Sequence, residues 1–283
     1  MKLGFSTWGM PKIPIDTALS HLAALGYDGV EITVIPGFTT ELSTLDRAER
    51  SRIAGLLQQH NLDLPAIAGH RSLMAMDADE HQENMSRLKG TVDLAVDWAE
   101  DLGMDVPPSI DTTTGGSPDT WDETKSLLVE RTHELVDYAA SKGVTIAMEP
   151  HVGAAIDTPD RVLELLQLVD SPYLKINFDI SHFNIQGISI DESVSAIAPH
   201  TIHTHVKDER GQVPDFEFLI PGEGEFDYVY YLKAMQAAGY TDYISAEISF
   251  MVQKRPEYDA LAAATQTYAT LAAAFEIAGI VRG

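Results

Sequence analysis

The sequence has 283 residues, of which 45% are hydrophobic, and none of them is cysteine. This length is enough for one large core, and the lack of cysteine excludes disulfides and thiolate ligands, which leaves oxygen and imidazole donors for any metal. The net charge of −24 argues against nucleic acid as a partner, because proteins bind it by placing Lys and Arg against phosphates.

The absence of a run of about 18 apolar residues argues against a membrane span. Residues 1–6 have the pattern of a strand and not of a signal peptide. We therefore expect a soluble, cytoplasmic protein.

Short apolar segments alternate with longer amphipathic segments eight times along the chain. The predicted strands are residues 2–8, 29–34, 63–69, 104–110, 144–150, 174–180, 201–206 and 243–249. Before the fourth strand, apolar residues recur every three or four positions, which predicts a helix with one buried face. This stripe consists of Met85, Leu88, Val92, Ala95, Ala99 and Leu102. Several helices are predicted to end at a glycine in the left-handed conformation, as at Gly26 and Gly103.

The alternation predicts parallel strands joined by right-handed crossovers, and eight units predict closure into a single-domain (β/α)8 TIM barrel over residues 1–283. An open doubly wound sheet is the alternative. The barrel is favoured because metal-type ligands follow four late strands, whereas a doubly wound sheet binds its ligand at one switch point. The turn-rich residues 111–118 are interpreted as a loop over the active face.

Acidic and imidazole side chains stand near the ends of the last four predicted strands. Alternate side chains of a barrel strand point inward, and the C-terminal ends of parallel strands meet at one face, so these side chains are expected to converge. They are Glu149, Asp179, His205 and Glu247. Burying three carboxylates without compensation would cost several kcal/mol for each charge, and a divalent cation removes most of that penalty. The donors suit one ion of Mn, Mg, Co or Zn, and the alternative is a set of inward polar residues satisfied by hydrogen bonds and water.

Six motifs distributed along the chain carry a family resemblance. They are Gly29-Val30-Glu31-Ile32, Met148-Glu149-Pro150, Phe178-Asp179-Ile180-Ser181-His182, His203-Thr204-His205-Val206-Lys207-Asp208, Pro221-Gly222-Glu223-Gly224-Glu225 and Ala246-Glu247. In these motifs the chain resembles the xylose isomerase-like TIM barrel superfamily, the sugar phosphate isomerases and epimerases, over essentially its whole length. The resemblance implies a divalent metal bound by the four converging residues, with Glu149 and Glu247 also transferring the proton. It also implies that His182 contacts a substrate hydroxyl or oxyanion, with Lys207 as a further contact.

Three more residues are candidate substrate contacts, each with a structural alternative. Glu31 either contacts substrate or hydrogen-bonds neighbouring strands, and His70 after the third strand is equally open. Trp8 is expected to form an apolar wall of the cavity, with an ordinary core position as the alternative. His182 has the alternative of capping its loop, and His203 is predicted to be a satisfied core histidine.

The function implied is a metal-dependent isomerase or epimerase of a keto-sugar, sugar phosphate or polyol derivative, acting by proton transfer through an enediolate. An inosose-type dehydratase using the same site is the first alternative. A non-catalytic metal-binding barrel and a multi-metal phosphodiester hydrolase of the endonuclease IV type are the others. For the hydrolase, His70, His182, Asp215 and Glu217 resemble ligand positions, but Asp111 and Glu217 stand where that branch has histidines. The tagatose epimerase branch carries a further acid after the first metal-binding glutamate, and this chain has Ala155 at that place. Family habit suggests a homodimer or homotetramer.

Overall fold

The computed structural model describes residues 1–283, and eight of its ten strands form a closed parallel barrel. In chain order the strands are β1 (Lys2–Ser6), β2 (Gly29–Thr33), β3 (Ala66–Ala68), β4 (Ser109–Thr113), β5 (Ile146–Glu149), β6 (Leu174–Asp179), β7 (Thr201–Val206), β8 (Asp208–Gln212), β9 (Asp215–Leu219) and β10 (Tyr243–Ala246). Strands β1 to β7 pair in order, and β10 closes the ring between β7 and β1. The predicted TIM barrel is therefore confirmed.

Helices surround the barrel, and their ends follow the local sequence signals. They are α1 (Ile15–Leu25), α2 (Arg47–His60), α3 (Ala78–Leu102), α4 (Trp121–Ser141), α5 (Pro159–Val169), α6 (Ser181–Asn184), α7 (Ile190–Ile197), α8 (Tyr228–Ala237), α9 (Phe250–Gln253) and α10 (Ala260–Ala278). Helix α3 begins at Asp77, whose side chain accepts hydrogen bonds from the backbone N–H groups of Asp79 and Glu80. It ends at Gly103 with φ of 68°, and α1 ends at Gly26 with φ of 98°, as predicted.

The apolar core lies between the outer face of the barrel and the helices. In β2, Val30 and Ile32 belong to this core, whereas Glu31 between them reaches the barrel interior and His205. The predicted stripe of α3 is buried from Met85 to Ala99, and Leu102 at its end is half-buried. None of the helices combines the length and apolar character needed to cross a bilayer.

The predicted bounds of the fourth strand were wrong. Residues 104–108 form a connection in which Val106 is exposed, and β4 begins only at Ser109. Pro107 and Pro108 explain the shift, because proline has no N–H to donate to a strand ladder. As a consequence, Asp111 and its neighbours up to Thr113, predicted as loop, belong to the strand. The third strand is likewise shorter than predicted and begins after Pro65.

The hairpin of β8 and β9 was not predicted. These strands follow the seventh barrel strand directly and pair antiparallel from Asp208 opposite Leu219 to Gln212 opposite Asp215. They stand outside the closed barrel. Phe216 and Phe218 of β9 line the cavity above the barrel, so the hairpin forms part of its wall.

Candidate metal centre and active site

The four predicted ligands meet at the C-terminal end of the barrel. Glu149 ends β5, Asp179 ends β6, His205 lies in β7, and Glu247 follows β10 by one residue. All four are buried, and one ligand atom from each lies within 4.8 Å of the others. The sheet register accounts for this convergence, since Asp179 and Ser245 both pair with His205 on neighbouring strands.

His205 is bonded to carboxylates on both of its ring nitrogens. Its Nδ1 lies 3.2 Å from Glu149 Oε1 and 3.8 Å from Glu247 Oε1, and its Nε2 lies 3.1 Å from Glu31 Oε1. Burial lowers the pKa of His205, but the charges of Glu31 and Glu247 raise it well above the ordinary value. Burial raises the pKa of Glu149, but the hydrogen bond and charge of His205 bring it down to about 2. His205 and Glu149 therefore carry opposite charges when no other ligand is bound.

Lys207 supplies the second positive charge at the cluster. Its ammonium contacts both Asp179 and Glu247, and the side chain is only 3% exposed. Burial lowers the pKa of Lys207, and the charges of Asp179 and Glu247 raise it above the ordinary value. On the other side of Asp179, Ser181 donates from its backbone N–H at 3.0 Å and its hydroxyl at 2.5 Å to Oδ1. These bonds fix the carboxylate with Oδ2 toward Lys207.

The donor set fits a divalent ion. Ligand atoms held at about 2.1 Å from an ion stand roughly 3 to 4.2 Å apart, so a cluster within 4.8 Å closes around one with small side-chain rotations. Three carboxylates and one imidazole also provide the charge that a divalent cation needs. The residues that would hold it are Glu149, Asp179, His205 and Glu247.

A cavity of about 600 Å³ opens directly above this cluster. Four of the five predicted substrate contacts line it, together with Glu149 and Glu247; these four are Trp8, His70, His182 and Lys207. Glu31 does not lie on the wall. It is fully buried beneath the cluster, where it accepts a 2.5 Å hydrogen bond from Ser6 and lies 3.1 Å from His203 Nε2. This position corresponds to the structural alternative, in which Glu31 hydrogen-bonds neighbouring strands. Its contact with His205 Nε2 at 3.1 Å also orients that ring.

His182 is buried at the cavity wall, and its ring contacts that of His151 at a tilt of 40°. The two ring centroids lie 3.8 Å apart, and His182 Nε2 is 3.5 Å from Asp179 Oδ2. Burial lowers the pKa of His182 well below the ordinary value, and the proximity of His151 and Lys207 acts in the same direction. A neutral His182 imidazole therefore faces the cavity and has both a donor and an acceptor nitrogen.

Asp111 is a site residue that sequence analysis missed. It is fully buried, both of its carboxylate oxygens lack a hydrogen bond, and His70 Nε2 lies 3.3 Å from Oδ2. Burial and the negative charges of Glu149 and Glu31 raise its pKa well above the ordinary value. The available signal was the alternation Ser109, Asp111, Thr113 directly after two prolines, which is a strand pattern.

Of the residues that suggested a multi-metal hydrolase, His70 and His182 lie beside the cluster, 4.0 Å from Glu149 and 3.5 Å from Asp179, whereas the two acids of β9 do not join it. Asp215 and Glu217 are exposed on β9, and Glu217 forms an ion pair with Arg210 at 3.0 Å. The barrel interior nevertheless contains two further groups of potential ligands next to the first. They are Glu31, His203 and His205, and His70, Asp111 and Glu149.

A closed parallel barrel with buried ligands and a cavity at the C-terminal ends of its strands is the architecture of a TIM-barrel enzyme. The chain belongs to the xylose isomerase-like TIM barrel family, whose model matches residues 19–268. The resemblance found in the sequence motifs is thereby confirmed.

Similar proteins of known name are sugar-modifying enzymes. The chain is 26% identical over 275 residues to fructoselysine 3-epimerase of Shigella flexneri, which covers 90% of this chain and 93% of that protein. It is 25% identical over 247 residues to inosose isomerase of Bacillus velezensis, which covers 84% and 82%. A crystal structure of the IOLI protein with a bound zinc atom has a TM-score of 0.78 at 23% identity, covering 98% of this chain and 99% of that chain. At that identity the structural likeness shows the fold.

Proposed function

We propose that this protein is a divalent-metal-dependent epimerase or isomerase of a keto-sugar or polyol derivative. The observation that carries the proposal is that Glu149 and Glu247 both line the cavity while each offers an oxygen to the same ligand cluster. The names of the relatives support the class of reaction, since they are an epimerase and an isomerase.

The two glutamates perform the proton transfer. A divalent ion held by Glu149, Asp179, His205 and Glu247 would supply Lewis-acid stabilisation of the negative charge that develops on the substrate oxygens. One glutamate removes the proton beside the carbonyl, and the other returns a proton from the opposite face or at the adjacent carbon. Return to the same carbon gives an epimer. Return to the adjacent carbon, with the hydroxyl proton passing to the former carbonyl oxygen, gives an isomer. His182 and Lys207 hold substrate hydroxyl groups from the neighbouring wall.

Manganese is the ion that we propose. Carboxylate oxygens favour Mg and Mn, whereas imidazole favours Zn and its neighbours, so a set of three oxygens and one nitrogen suits Mn, with Co, Mg and Zn as the other candidates. Reconstitution of the chelator-stripped protein with each ion, followed by elemental analysis, tests this choice. One ion per chain is expected, and two or three would favour the hydrolase.

Solvent deuterium exchange tests the reaction itself. Ketoses, keto-inositols and keto-glycosides are incubated in deuterated water with the reconstituted protein, and incorporation is followed by NMR. We expect incorporation at the carbon beside the carbonyl, and a loss of about 10²- to 10⁴-fold in Glu247→Gln and Glu149→Gln. Glu217→Gln, an exposed acid of the hairpin, is the matched control. Unchanged turnover in Glu247→Gln would refute the two-glutamate mechanism, and an unsaturated or dione product would identify the dehydratase.

Two further properties stay predictions. A dimer or tetramer, which family habit suggests, is tested by light scattering of the purified protein. The cytoplasmic location is tested by fractionation of cells that express it.

A further inference from the structure

The cavity is much larger than the sugar that its floor would hold. A six-carbon sugar has about twelve non-hydrogen atoms and fills roughly 200 Å³, less than the smallest common ligand pockets of about 300 Å³. The cavity measures about 600 Å³. The acidic and basic groups of the proposed chemistry, such as Glu149, Glu247 and Lys207, are buried at its floor. The upper part of the cavity is therefore available for a second portion of the substrate.

Aromatic side chains form one wall of the upper cavity. Trp8 follows β1 and Phe250 begins α9 after β10, and their rings contact edge to face with centroids 4.7 Å apart. Phe250 is 45% exposed and its neighbour Met251 is 44% exposed, although both are large and apolar. Phe216 of the hairpin extends this surface. Exposed apolar side chains grouped at a cavity mouth are typical of ligand contacts.

The opposite wall consists largely of small residues, with His151 and Val152 beside them. Strands β4 and β5 stand four places from β10 and β1 around the eight-stranded ring, so the loops after them face Trp8 and Phe250 across the cavity. These loops line the cavity with Gly115, Gly116, Gly153 and Ala154. Aromatic rings on one side and short side chains on the other leave a slot that suits a flat apolar group.

The upper cavity has one permanently charged side chain, and it is positive. Lys254 lines the cavity and makes no ion pair with any carboxylate, in a chain with 43 acidic residues. Its neighbour Arg255 is paired with Glu223 at 2.7 Å. The only acidic residues that line the cavity are Glu149 and Glu247 at the floor. A cationic group in the slot would therefore find no counter-charge, whereas an anionic group would find Lys254.

We propose that the substrate is a keto-sugar joined to a flat, aromatic group that carries a carboxylate. The sugar portion rests on the function proposed above, and the remainder rests on the upper cavity alone. The aromatic ring lies between Trp8 and Phe250 on one side and the glycine-rich loops on the other, and the carboxylate points to Lys254.

Binding of unreactive glycosides tests this proposal without any turnover. The probes are 4-carboxyphenyl, phenyl, 4-(aminomethyl)phenyl and methyl glucoside, titrated by calorimetry into the metal-loaded protein. We expect the carboxyphenyl glucoside to bind at least tenfold more tightly than the methyl glucoside. The aminomethyl compound should bind more weakly than the phenyl compound.

Two variants separate the ring from the charge. Phe250→Ala should weaken both the phenyl and the carboxyphenyl glucosides by roughly fivefold and leave the methyl glucoside unchanged. Lys254→Met should weaken the carboxyphenyl glucoside alone, by about threefold, as expected for an exposed charge pair. Lys233→Met on the outer helix α8, also exposed and without an ion pair, is the matched control.

The outcomes distinguish this proposal from the proposed function. Equal affinity for the methyl and carboxyphenyl glucosides would overturn the aromatic slot, even if free keto-sugars exchange deuterium. Equal affinity for the carboxyphenyl and aminomethyl compounds would overturn the role of Lys254. A preserved binding order without deuterium exchange on any keto-sugar would support the cavity assignment and count against the epimerase.

Discussion

At the scale of single residues, Glu209 is a buried acid outside the ligand cluster. It lies in β8 and is 4% exposed, with one carboxylate oxygen accepting from Asn184 Nδ2 at 2.7 Å and the other without a partner. Burial raises its pKa to about 8, and the charges of Asp179 and Asp208 act in the same direction, against the bond from Asn184 and the charge of Lys207. The folded protein therefore holds a proton that the unfolded chain releases.

This proton makes the free energy of unfolding depend on pH. Between the ordinary pKa of glutamate and about 8, the folded state binds one more proton than the unfolded state, so stability falls as pH rises, by up to about 1.4 kcal/mol per pH unit. Glu209→Gln keeps an acceptor for Asn184 and removes the ionisation. We expect the variant to equal the wild type near pH 5 and to exceed it by roughly 4 kcal/mol at pH 9.

Urea unfolding of both proteins from pH 5 to pH 9 measures this difference. Glu225→Gln, an exposed acid nearby along the chain, should track the wild type throughout. A constant difference between Glu209→Gln and the wild type over this range would show that Glu209 is ionised in the folded state.

At the scale of elements, Asp208 ties the base of the hairpin of β8 and β9 to the turn that follows it. This residue begins β8, is 1% exposed, and accepts hydrogen bonds from three backbone N–H groups. The donors are Glu209 at 3.0 Å, Gly222 at 2.8 Å and Phe226 at 3.1 Å. A Cβ at Gly224 would clash with the Asp208 carboxylate, so the glycine-rich turn after the hairpin closes around this side chain. The motif that contributed to the family resemblance thus has a structural role in holding the cavity wall.

Removal of these bonds should loosen the hairpin. Asp208→Ala leaves the N–H groups of Gly222 and of the buried Phe226 without this acceptor, and we expect a loss of roughly 2 to 4 kcal/mol in the free energy of unfolding. Asp208→Asn keeps one acceptor oxygen and should lose about half as much. Amide hydrogen exchange at Gly222 and Phe226 should be fastest in Asp208→Ala, intermediate in Asp208→Asn and slowest in the wild type.

Asp215→Asn provides the comparison, because Asp215 lies in the same hairpin but is exposed. Protection of Gly222 and Phe226 that survives in Asp208→Ala would mean that the turn does not depend on this carboxylate.

At the scale of the whole molecule, the barrel and the four ligands could be predicted because both follow from local periodicity. Glu149 and Asp179 could be placed at the cavity face because alternate side chains near the end of a barrel strand point inward. Closure of the barrel could be predicted from the eight alternations of strand and helix. Asp111 was missed because the predicted strand ended at residue 110, whereas the strand begins after the two prolines and runs from Ser109 to Thr113. The contacts of Lys207 with Asp179 and Glu247, and of Glu31 with His205, join strands distant in sequence and become visible only when the barrel closes.

Closure of the barrel also brings the negatively charged ligands together at one end of the molecule. Metal binding at this end therefore contributes to the stability of the whole fold. The proposed ligands come from four strands, and the unfolded chain does not hold them together, so an ion binds the folded state preferentially. At an ion concentration about 100 times the dissociation constant, the folded state gains about 2.7 kcal/mol. For a chain of this size we expect a rise of roughly 5 to 10 °C in the melting temperature on addition of Mn, and its loss on chelation.

Substitution of a single ligand should abolish this increment. Asp179→Asn removes a carboxylate that Ser181 holds in place and Lys207 contacts, so its melting temperature should respond little to Mn, whatever its value without metal. Asp215→Asn, an exposed acid that lies outside the cluster, should retain the full increment because it leaves all four ligands intact. Differential scanning calorimetry with and without chelator measures both. If the melting temperature of the wild type is the same with chelator as with Mn, Co, Zn or Mg, the cluster does not bind these ions. In that case Lys207 and His205 alone balance the three carboxylates.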